Sequence, residues 1–231
     1  MSISIKYLGH SSFLITVDKK KILTDPYFEE SCNGKMKRLV PCAHKLDDVP
    51  KIDTILISHE HFDCFDREAI NILSKKYNPK IVGHHSVLKE IETEPYNKVP
   101  VTEYDTKDIN NIKLKTFPAH HPSAFYPLSY LIENKKGKTI YFAGDTCMTR
   151  DHDNIKPNIA LLPIGGKRTM DLITAIRVMK KMRPQYVIPM HYNTFEDIRK
   201  NPEELIHRFG KNYNDINTII LEPGKKFVFK H

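Results

Sequence analysis

The chain has 231 residues, of which 40% are hydrophobic, and its formal net charge is +8. This length allows one large α/β domain or two small ones with a sizeable core, and no stretch approaches the roughly 18–20 consecutive apolar residues of a membrane span. Alternating polar and apolar residues from 1 to 17 predict a strand and not a signal peptide. The four cysteines are too sparse for a disulfide scaffold, so we expect a cytoplasmic location.

Short apolar segments predict four strands in the first quarter of the chain, at residues 3–8, 12–17, 21–24 and 54–57. Between the third and the fourth, residues 25–51 are expected to form a long irregular loop of the kind that often covers a binding site. Helical spacing then predicts a helix over residues 66–77, followed by a strand at 80–83. A short helix is expected at 86–91, with Ser86 as its cap.

A second strand-rich region is predicted at residues 99–104, 112–117, 128–133 and 139–143, with a hairpin turn at 134–137. The remaining elements alternate: a strand at 159–163, a helix at 169–182, a strand at 186–189, a helix at 202–209, and strands at 216–221 and 226–229. No Gly/Ser-rich linker separates the two halves. We therefore expect a single domain over residues 1–231, built from two sheets with helices on their outer faces.

A cluster of metal-ligand side chains follows the predicted strand at 54–57. Residues 58–64 are Ser-His-Glu-His-Phe-Asp-Cys, so His59, His61 and Asp63 alternate. Alternate side chains of an extended or turning chain point the same way, which places these three at one pocket. Imidazole and carboxylate ligands suit zinc, iron or manganese, although a polar loop with two surface histidines would show the same spacing.

Three further predicted strands end at residues of the same chemical kind. His120 and His121 follow the strand at 112–117, Asp145 follows the strand at 139–143, and His191 follows the strand at 186–189. Ligands of α/β sheets bind at the carboxyl ends of strands. The sequence therefore predicts that these side chains and the 58–64 cluster meet at one metal centre.

With these motifs the chain resembles the metallo-β-lactamase superfamily, and within it the branch of ascorbate-6-phosphate-lactonase-like and N-acyl-phosphatidylethanolamine phospholipase D-like hydrolases. The resemblance extends over nearly the whole chain, from Gly9-His10 to the segment 189–195. It implies an α/β fold, a four-layered αββα sandwich, with one or two divalent cations, zinc foremost, at one edge of both sheets. It also implies a ligand set: His59, His61 and His121 for one cation, Asp63 and His191 for the other, and Asp145 between them.

Three positions leave alternatives open. Cys64 stands where the family pattern H-x-H-x-D-H has its last histidine. It is either a thiolate ligand that favours zinc or a small buried hydrophobe, which would leave the second position weak or empty. His120 is the alternative to His121 as a ligand. His10, in Leu-Gly-His-Ser, is expected beside the pocket, where it supports the ligands or is simply structural.

The chemistry expected of such a centre is hydrolysis by a metal-bound hydroxide, with Asp63 and Asp145 as catalytic groups that orient it. The expected substrate is an ester, lactone or phosphodiester of a small anionic molecule. Lys167 and Arg168, and Lys35, Lys37 and Arg38 in the 25–51 loop, are candidate anion-binding groups, or else exposed solvated cations. The alternatives are a non-catalytic metal- or ligand-binding domain and a nuclease. A nucleic-acid partner is not expected because no inserted clamp is evident, and the oligomeric state stays open.

Overall fold

The computed structural model of the protein describes residues 2–32, 36–209 and 215–230. Its strands are β1 Ile3–Gly9, β2 Ser12–Val17, β3 Lys20–Thr24, β4 Ser31–Cys32, β5 Met36–Lys37, β6 Thr54–Leu56, β7 Lys80–Gly83, β8 Lys98–Pro100, β9 Thr106–Ile109, β10 Ile112–Pro118, β11 Leu128–Glu133, β12 Thr139–Phe142, β13 Ile159–Pro163, β14 Tyr186–Met190, β15 Asn217–Thr218 and β16 Lys226–Phe229. The α-helices are α1 Arg67–Tyr77, α2 His85–Leu88, α3 Leu172–Met182 and α4 Glu203–Phe209, and 3₁₀ turns lie at Leu46–Asp48, Pro95–Asn97, Arg150–Asp153 and Glu196–Ile198.

Two seven-stranded sheets form the centre of the structure. The first has the order β16-β1-β2-β3-β6-β7-β8 and the second the order β15-β14-β13-β12-β11-β10-β9. Both are mixed: β1, β2 and β3 pair antiparallel before the parallel run through β6, β7 and β8. In the second sheet β10, β11 and β12 pair antiparallel before the parallel run through β13, β14 and β15.

The main core lies between the sheets and extends to a helix outside the second one. One buried cluster contains Ile5 and Phe13 of the first sheet and Tyr130 and Leu161 of the second, together with Met179 of α3. A second cluster joins the first sheet to α1. Strands buried on both faces have continuous apolar sequences, as in Ile159–Pro163. The layers are therefore helix, sheet, sheet and helix, and the αββα prediction is confirmed.

Capping side chains determine where the two longest helices begin. Asp66 accepts a hydrogen bond from the Ala69 amide at the start of α1, and Asp171 accepts one from Thr174 at the start of α3. Acidic N-caps satisfy free amides of the first turn. The predicted helix at 169–182 therefore begins only at Leu172, and the start expected at 169 is wrong. Within the described residues, no helix has the length and apolar character needed to cross a membrane.

The predicted strand at 99–104 is wrong over most of its length, and an unpredicted strand follows it. Strand β8 ends at Pro100, and the chain then turns where Asp105 accepts a hydrogen bond from the Thr102 amide. Strand β9, at the edge of the second sheet, is largely exposed and has no apolar pattern. Its hairpin to β10 uses Asn110 and Asn111, both at positive φ, which is the backbone of a tight two-residue turn.

Two shorter elements also differ from prediction. Helix α2 is a single turn that ends at Leu88, and its cap is His84, whose ring accepts from the Ser86 amide, so the cap expected at Ser86 is wrong. The strand expected at 216–221 is paired only over Asn217–Thr218. In both cases the apolar pattern is longer than the regular element, because a side chain can be buried against a neighbour without regular backbone hydrogen bonding.

The described part of the loop at 25–51, which leaves out residues 33–35, is irregular, as expected, apart from the pairing of β4 with β5 and one 3₁₀ turn. Arg38 anchors it: the guanidinium donates to the carbonyl oxygens of Tyr27 and Val40 at 2.8 and 3.0 Å. This side chain is only 6% exposed and lines a smaller cavity beside His10, and its role as an anion-binding group stays a prediction. Lys35 lies outside the described residues.

Candidate metal centre

Five strand ends deliver the candidate ligands to one edge of the structure. In the first sheet β1 runs into His10 and β6 into His59. In the second, β10, β12 and β14 run into the other three side chains. Each sheet alternates direction twice before its parallel run, so β1 points the same way as β6, and β10 the same way as β12 and β14. The carboxyl ends of all five strands thus share one edge, and they carry His10, His59, His121, Asp145 and His191.

The first group of ligand atoms comes from His59, His61 and His121, which lie within 4.8 Å of one another. The Nε2 atom of His121 is 2.9 Å from Nδ1 of His61. Asp145 Oδ2 is 4.0 Å from Nε2 of both His59 and His121. Tetrahedral ligands about 2.0–2.1 Å from a zinc-sized cation are about 3.4 Å apart. The observed separations of 2.9 and 4.0 Å therefore lie just below and just above the ligand spacing around one bound cation.

A buried hydrogen-bond chain orients the His59 ring. The Ser58 hydroxyl donates to Asp25 Oδ2 at 2.6 Å, and His59 Nδ1 lies 2.8 Å from the same hydroxyl oxygen. Since the hydroxyl proton is directed at the carboxylate, the ring donates from Nδ1. Its Nε2 is buried without a hydrogen-bond partner, and burial lowers the pKa of His59 to about 4. The neutral ring therefore directs a lone pair into the centre, as a metal ligand must.

The two adjacent histidines after β10 have different environments. Nδ1 of His121 lies 3.0 Å from the Arg168 carbonyl oxygen, which directs Nε2 towards His61. His120 is exposed and belongs to none of the ligand groups found among the described residues. Its backbone amide instead bonds to the Thr146 hydroxyl. The structure thus brings His121, and not His120, to the other ligands.

Asp145 and His191 form a buried pair between the two groups. Oδ2 of Asp145 lies 2.9 Å from Nε2 of His191, and the Ser11 hydroxyl donates to Oδ1. Although burial raises it, the pKa of Asp145 is held well below its usual value by the His191 ring. Burial lowers the pKa of His191, but Asp145 raises it to about 8. In the metal-free protein the pair is ionised, and a bound cation would displace the proton on His191.

The second group consists of His10, Asp63 and His191. His10 Nε2 is 3.4 Å from Asp63 Oδ2, and the His10 and His191 rings lie 4.4 Å apart. Both histidines have positive φ, 58° and 53°, a conformation that costs an L residue about 1–2 kcal/mol. The fold therefore holds both rings at this edge against a local backbone preference.

Cys64 is fully buried but belongs to a different group, with Asp25 and His59. Cys64 and its neighbour Asp63 lie in one tight turn, in which the Cys64 amide donates to the His61 carbonyl oxygen. Asp63 nevertheless belongs to the second group. Burial, with the nearby Asp145 and Asp25 carboxylates, raises the pKa of the Cys64 thiol well above its usual value. The thiol is therefore neutral in the metal-free protein.

A cavity of about 510 Å³ opens above these ligands, a size suited to a small molecule. Lys167 and Arg168, the candidate anion-binding groups, line it. Lys167 is paired with Asp197 at 3.6 Å, whereas no acidic group of the described residues lies within ion-pair distance of the Arg168 guanidinium. The remaining wall is largely apolar and includes Met36, Phe62, Phe195 and Ile198.

The residues present fit a divalent cation. Nε2 of His59 and both ring nitrogens of His10 are buried without hydrogen-bond partners, which is costly unless a ligand completes them. Imidazole and carboxylate form the donor set, with spacings that suit coordination. The structure gathers the predicted ligands His59, His61, Asp63, His121, Asp145 and His191, and it groups His10, which was expected beside the pocket, with Asp63 and His191.

Sequence reasoning did not identify the residues that support these ligands. Ser58 directly precedes the first histidine, and Asp25 follows β3, which pairs with β6. A polar residue at the end of the neighbouring parallel strand was the only available signal for Asp25. Ser11, which holds Asp145, had no distinguishing signal beyond its place beside His10.

Comparisons with known proteins agree with this architecture. Residues 4–191 match the family described as the beta-lactamase superfamily domain. A UPF0173 metal-dependent hydrolase of Nanoarchaeum equitans is 34% identical over 96% of this chain and 98% of its own length. One of Staphylothermus marinus is 34% identical over 97% and 98%. Igni18, a metallo hydrolase from Ignicoccus hospitalis, superposes with a TM-score of 0.86 at 26% identity over the full length of both chains.

The fold and the ligand edge define a protein of the metallo-β-lactamase class. The chain belongs to the metallo-β-lactamase superfamily and, within it, to the UPF0173 metal-dependent hydrolases. The lactonase-like and phospholipase D-like branch suggested by the motifs stays a prediction.

Proposed function

We propose that the protein uses a hydroxide generated at this centre to hydrolyse an ester, lactone or phosphodiester bond of a small anionic substrate. The observation that carries the proposal is the meeting of His59, His61 and His121 with Asp145 at the floor of an open cavity. Three protein ligands with an accessible further position are the usual arrangement of catalytic zinc, so zinc is the proposed cation.

When bound, a divalent cation lowers the pKa of a water molecule to about 7 and polarises a carbonyl or phosphoryl oxygen. The chain's own residues orient these groups. Asp145 presents Oδ2 towards both ligand groups while Ser11 holds Oδ1. Asp63 lies across from it in the second group and lines the same cavity. The two carboxylates are thus placed to accept hydrogen bonds from the attacking water and to fix its direction of approach.

Arg168 is the proposed anion-binding residue. Its guanidinium is exposed at the cavity wall without an acidic partner among the described residues, while its carbonyl oxygen orients the ligand His121. Lys167 is partly neutralised by Asp197 and contributes less. A charged group bound here would place the neighbouring scissile bond above the metal ligands.

The metal part of the proposal is tested with adjacent histidines. His121→Ala should abolish hydrolysis of generic phosphodiester, ester and lactone substrates and release metal during dialysis. His120→Ala is the matched control and should retain both. If His120→Ala loses metal and His121→Ala does not, the ligand assignment is wrong. If His61→Ala hydrolyses these substrates at the wild-type rate after chelation and dialysis, the proposed mechanism is wrong.

The substrate part is tested with two esters that differ only by a negative charge. Arg168→Gln should raise KM for the anionic ester about tenfold or more, as expected for loss of a charge-assisted contact worth about 1.5–3 kcal/mol, and leave the neutral ester unchanged. Lys167→Gln should have a smaller effect. Equal losses for both esters would contradict a role in charge recognition.

Two other results would favour the alternative functions. One equivalent of metal and no turnover across the panel would favour a non-catalytic binding domain. RNA or DNA affinity that falls steeply with salt would favour a nuclease. A cytoplasmic location and a single domain over residues 1–231 complete the proposal. The first is supported by Cys42, Cys64 and Cys147, which are all free, and the second by a core cluster that joins both sheets.

A further inference from the structure

His10 occupies a position that a supporting or structural histidine does not explain. It is 1% exposed, and neither ring nitrogen has a hydrogen-bond partner. A neutral imidazole has one donor and one acceptor, and burying both unpaired is unfavourable. A structural histidine in a core normally satisfies at least one of them, as His152 does through Thr149 and Tyr141.

The ring of His10 is aimed at the metal edge by its packing. Its faces and edges are held by Tyr27, Phe195 and His191, with ring centroids 5.8, 5.5 and 4.4 Å away. Its backbone is held as well: the His10 carbonyl oxygen accepts from the His191 amide at 2.9 Å and from the Tyr7 hydroxyl at 3.1 Å. These contacts fix the ring with Nε2 facing the Asp63 carboxylate.

The spacing around His10 suits coordination. Nε2 is 3.4 Å from Asp63 Oδ2, which equals the separation of about 3.4 Å between tetrahedral ligands of a zinc-sized cation. His191 Nε2 and Asp145 Oδ2 are 2.9 Å apart on the adjoining side. Ligand atoms of His10, Asp63 and His191 thus lie within 4.8 Å of one another, and the Asp145 carboxylate adjoins this group through His191.

Cys64 lies outside this set. Its sulfur groups with Asp25 and His59, and it lies against the Asp25 carboxylate. That carboxylate is on the side of the His59 ring where Nδ1 bonds to Ser58, opposite the Nε2 that faces the centre.

We propose that His10 is a metal ligand, which with Asp63, His191 and the shared Asp145 completes the second cation position, and that Cys64 binds neither cation. The inference rests on the metal-dependent function proposed above, but it concerns ligand identity and not substrate. A set of two nitrogens and two oxygens accepts zinc, iron or manganese. The second position therefore has no particular preference for zinc, whereas a thiolate ligand would favour zinc.

Metal stoichiometry and affinity give the first test, independent of activity. Wild-type protein should bind two cations in a competition titration with a chromophoric chelator. His10→Ala should weaken the second by more than about 100-fold, beyond the 10–100-fold loss typical of a group that only supports a ligand. His10→Gln keeps a hydrogen-bond donor for Asp63, so restoration of the second cation by this variant would overturn the proposal. Far-ultraviolet circular dichroism checks that each variant is folded.

The absorption spectrum of the cobalt(II)-substituted protein gives the second test. A thiolate ligand gives a thiolate-to-cobalt charge-transfer band. Wild-type protein should show none, and Cys64→Ser should leave its spectrum unchanged. A band in the wild type that disappears in Cys64→Ser would overturn the proposal. If wild-type protein binds no metal, the proposed function fails as well, whereas two cations with unaffected His10 variants would defeat this inference alone.

Discussion

Ser58→Ala tests whether the chain from Asp25 to His59 prepares the first metal position. The hydroxyl makes two buried contacts, at 2.6 Å to Asp25 Oδ2 and at 2.8 Å to His59 Nδ1. Both partners are at most 1% exposed, so water cannot easily replace the lost group. The Ser58 amide keeps its bond to Asp25 Oδ1 at 2.7 Å, which limits the damage to the two contacts of the hydroxyl.

The magnitude follows from these contacts. Each buried group left without a partner costs about 1–3 kcal/mol, so the free energy of unfolding of the metal-free variant should be about 2–6 kcal/mol lower than that of the wild type. Loss of the group that orients a metal-bound histidine lowers affinity about 10–100-fold, because the His59 ring can then rotate and exchange tautomers. Urea unfolding of chelator-treated protein measures the first effect, and competition with a chromophoric chelator measures the second.

The chain offers a matched control in Ser86→Ala. The Ser86 hydroxyl also lies 2.8 Å from a histidine Nδ1, that of His84, which belongs to no ligand group of the described residues. This variant should lose less stability, since Ser86 is half-buried, and bind metal normally. If Ser58→Ala matches Ser86→Ala in metal affinity, the orientation argument is refuted.

Three further predictions concern stability. Gly144→Ala should cost about 1–3 kcal/mol and weaken metal binding, because φ is +58° and the new Cβ would lie 2.6 Å from Ser58 Cβ; thermal unfolding measures the cost. Asp66→Ala should cost about 2–4 kcal/mol in urea unfolding, since the carboxylate both caps α1 and accepts from the Phe28 amide at 3.0 Å. Burial lowers the pKa of His152, so the unfolded chain binds its proton more readily, and stability of the metal-free protein should fall as pH drops below about 6.5; in His152→Asn that loss should be smaller.

Each of these has its own control. Gly137→Ala carries a similar φ of +72° but meets no atom within 4 Å, so an equal cost would show that the clash is not responsible. Asp171→Ala removes a cap from α3 at an exposed site with a single side-chain bond, and it should cost less than Asp66→Ala. For His152, identical pH profiles in the two proteins would show that another group titrates.

The periodicity and residue types of the sequence determined the strands of both sheets that carry ligands, and the longest helices to within a few residues. Apolar runs such as those of β6 and β13 can only be buried, which sets the layered arrangement. The H-x-H-x-D spacing and the placement of His121, Asp145 and His191 after strands were enough to name most of the ligand groups. Each of these features depends only on residues that are close together in the chain.

What only the tertiary structure decided is which side chains share a position. His10 lies against Asp63 because β1 and β6 run in the same direction within one sheet, and against His191 because the second sheet packs face to face on the first and its strand β14 ends at the same edge. Cys64 follows Asp63 directly but groups with Asp25 and His59, whereas Asp63 groups with His10 and His191. Contacts of this kind depend on register and packing between residues far apart in the chain, and no spacing along the sequence encodes them.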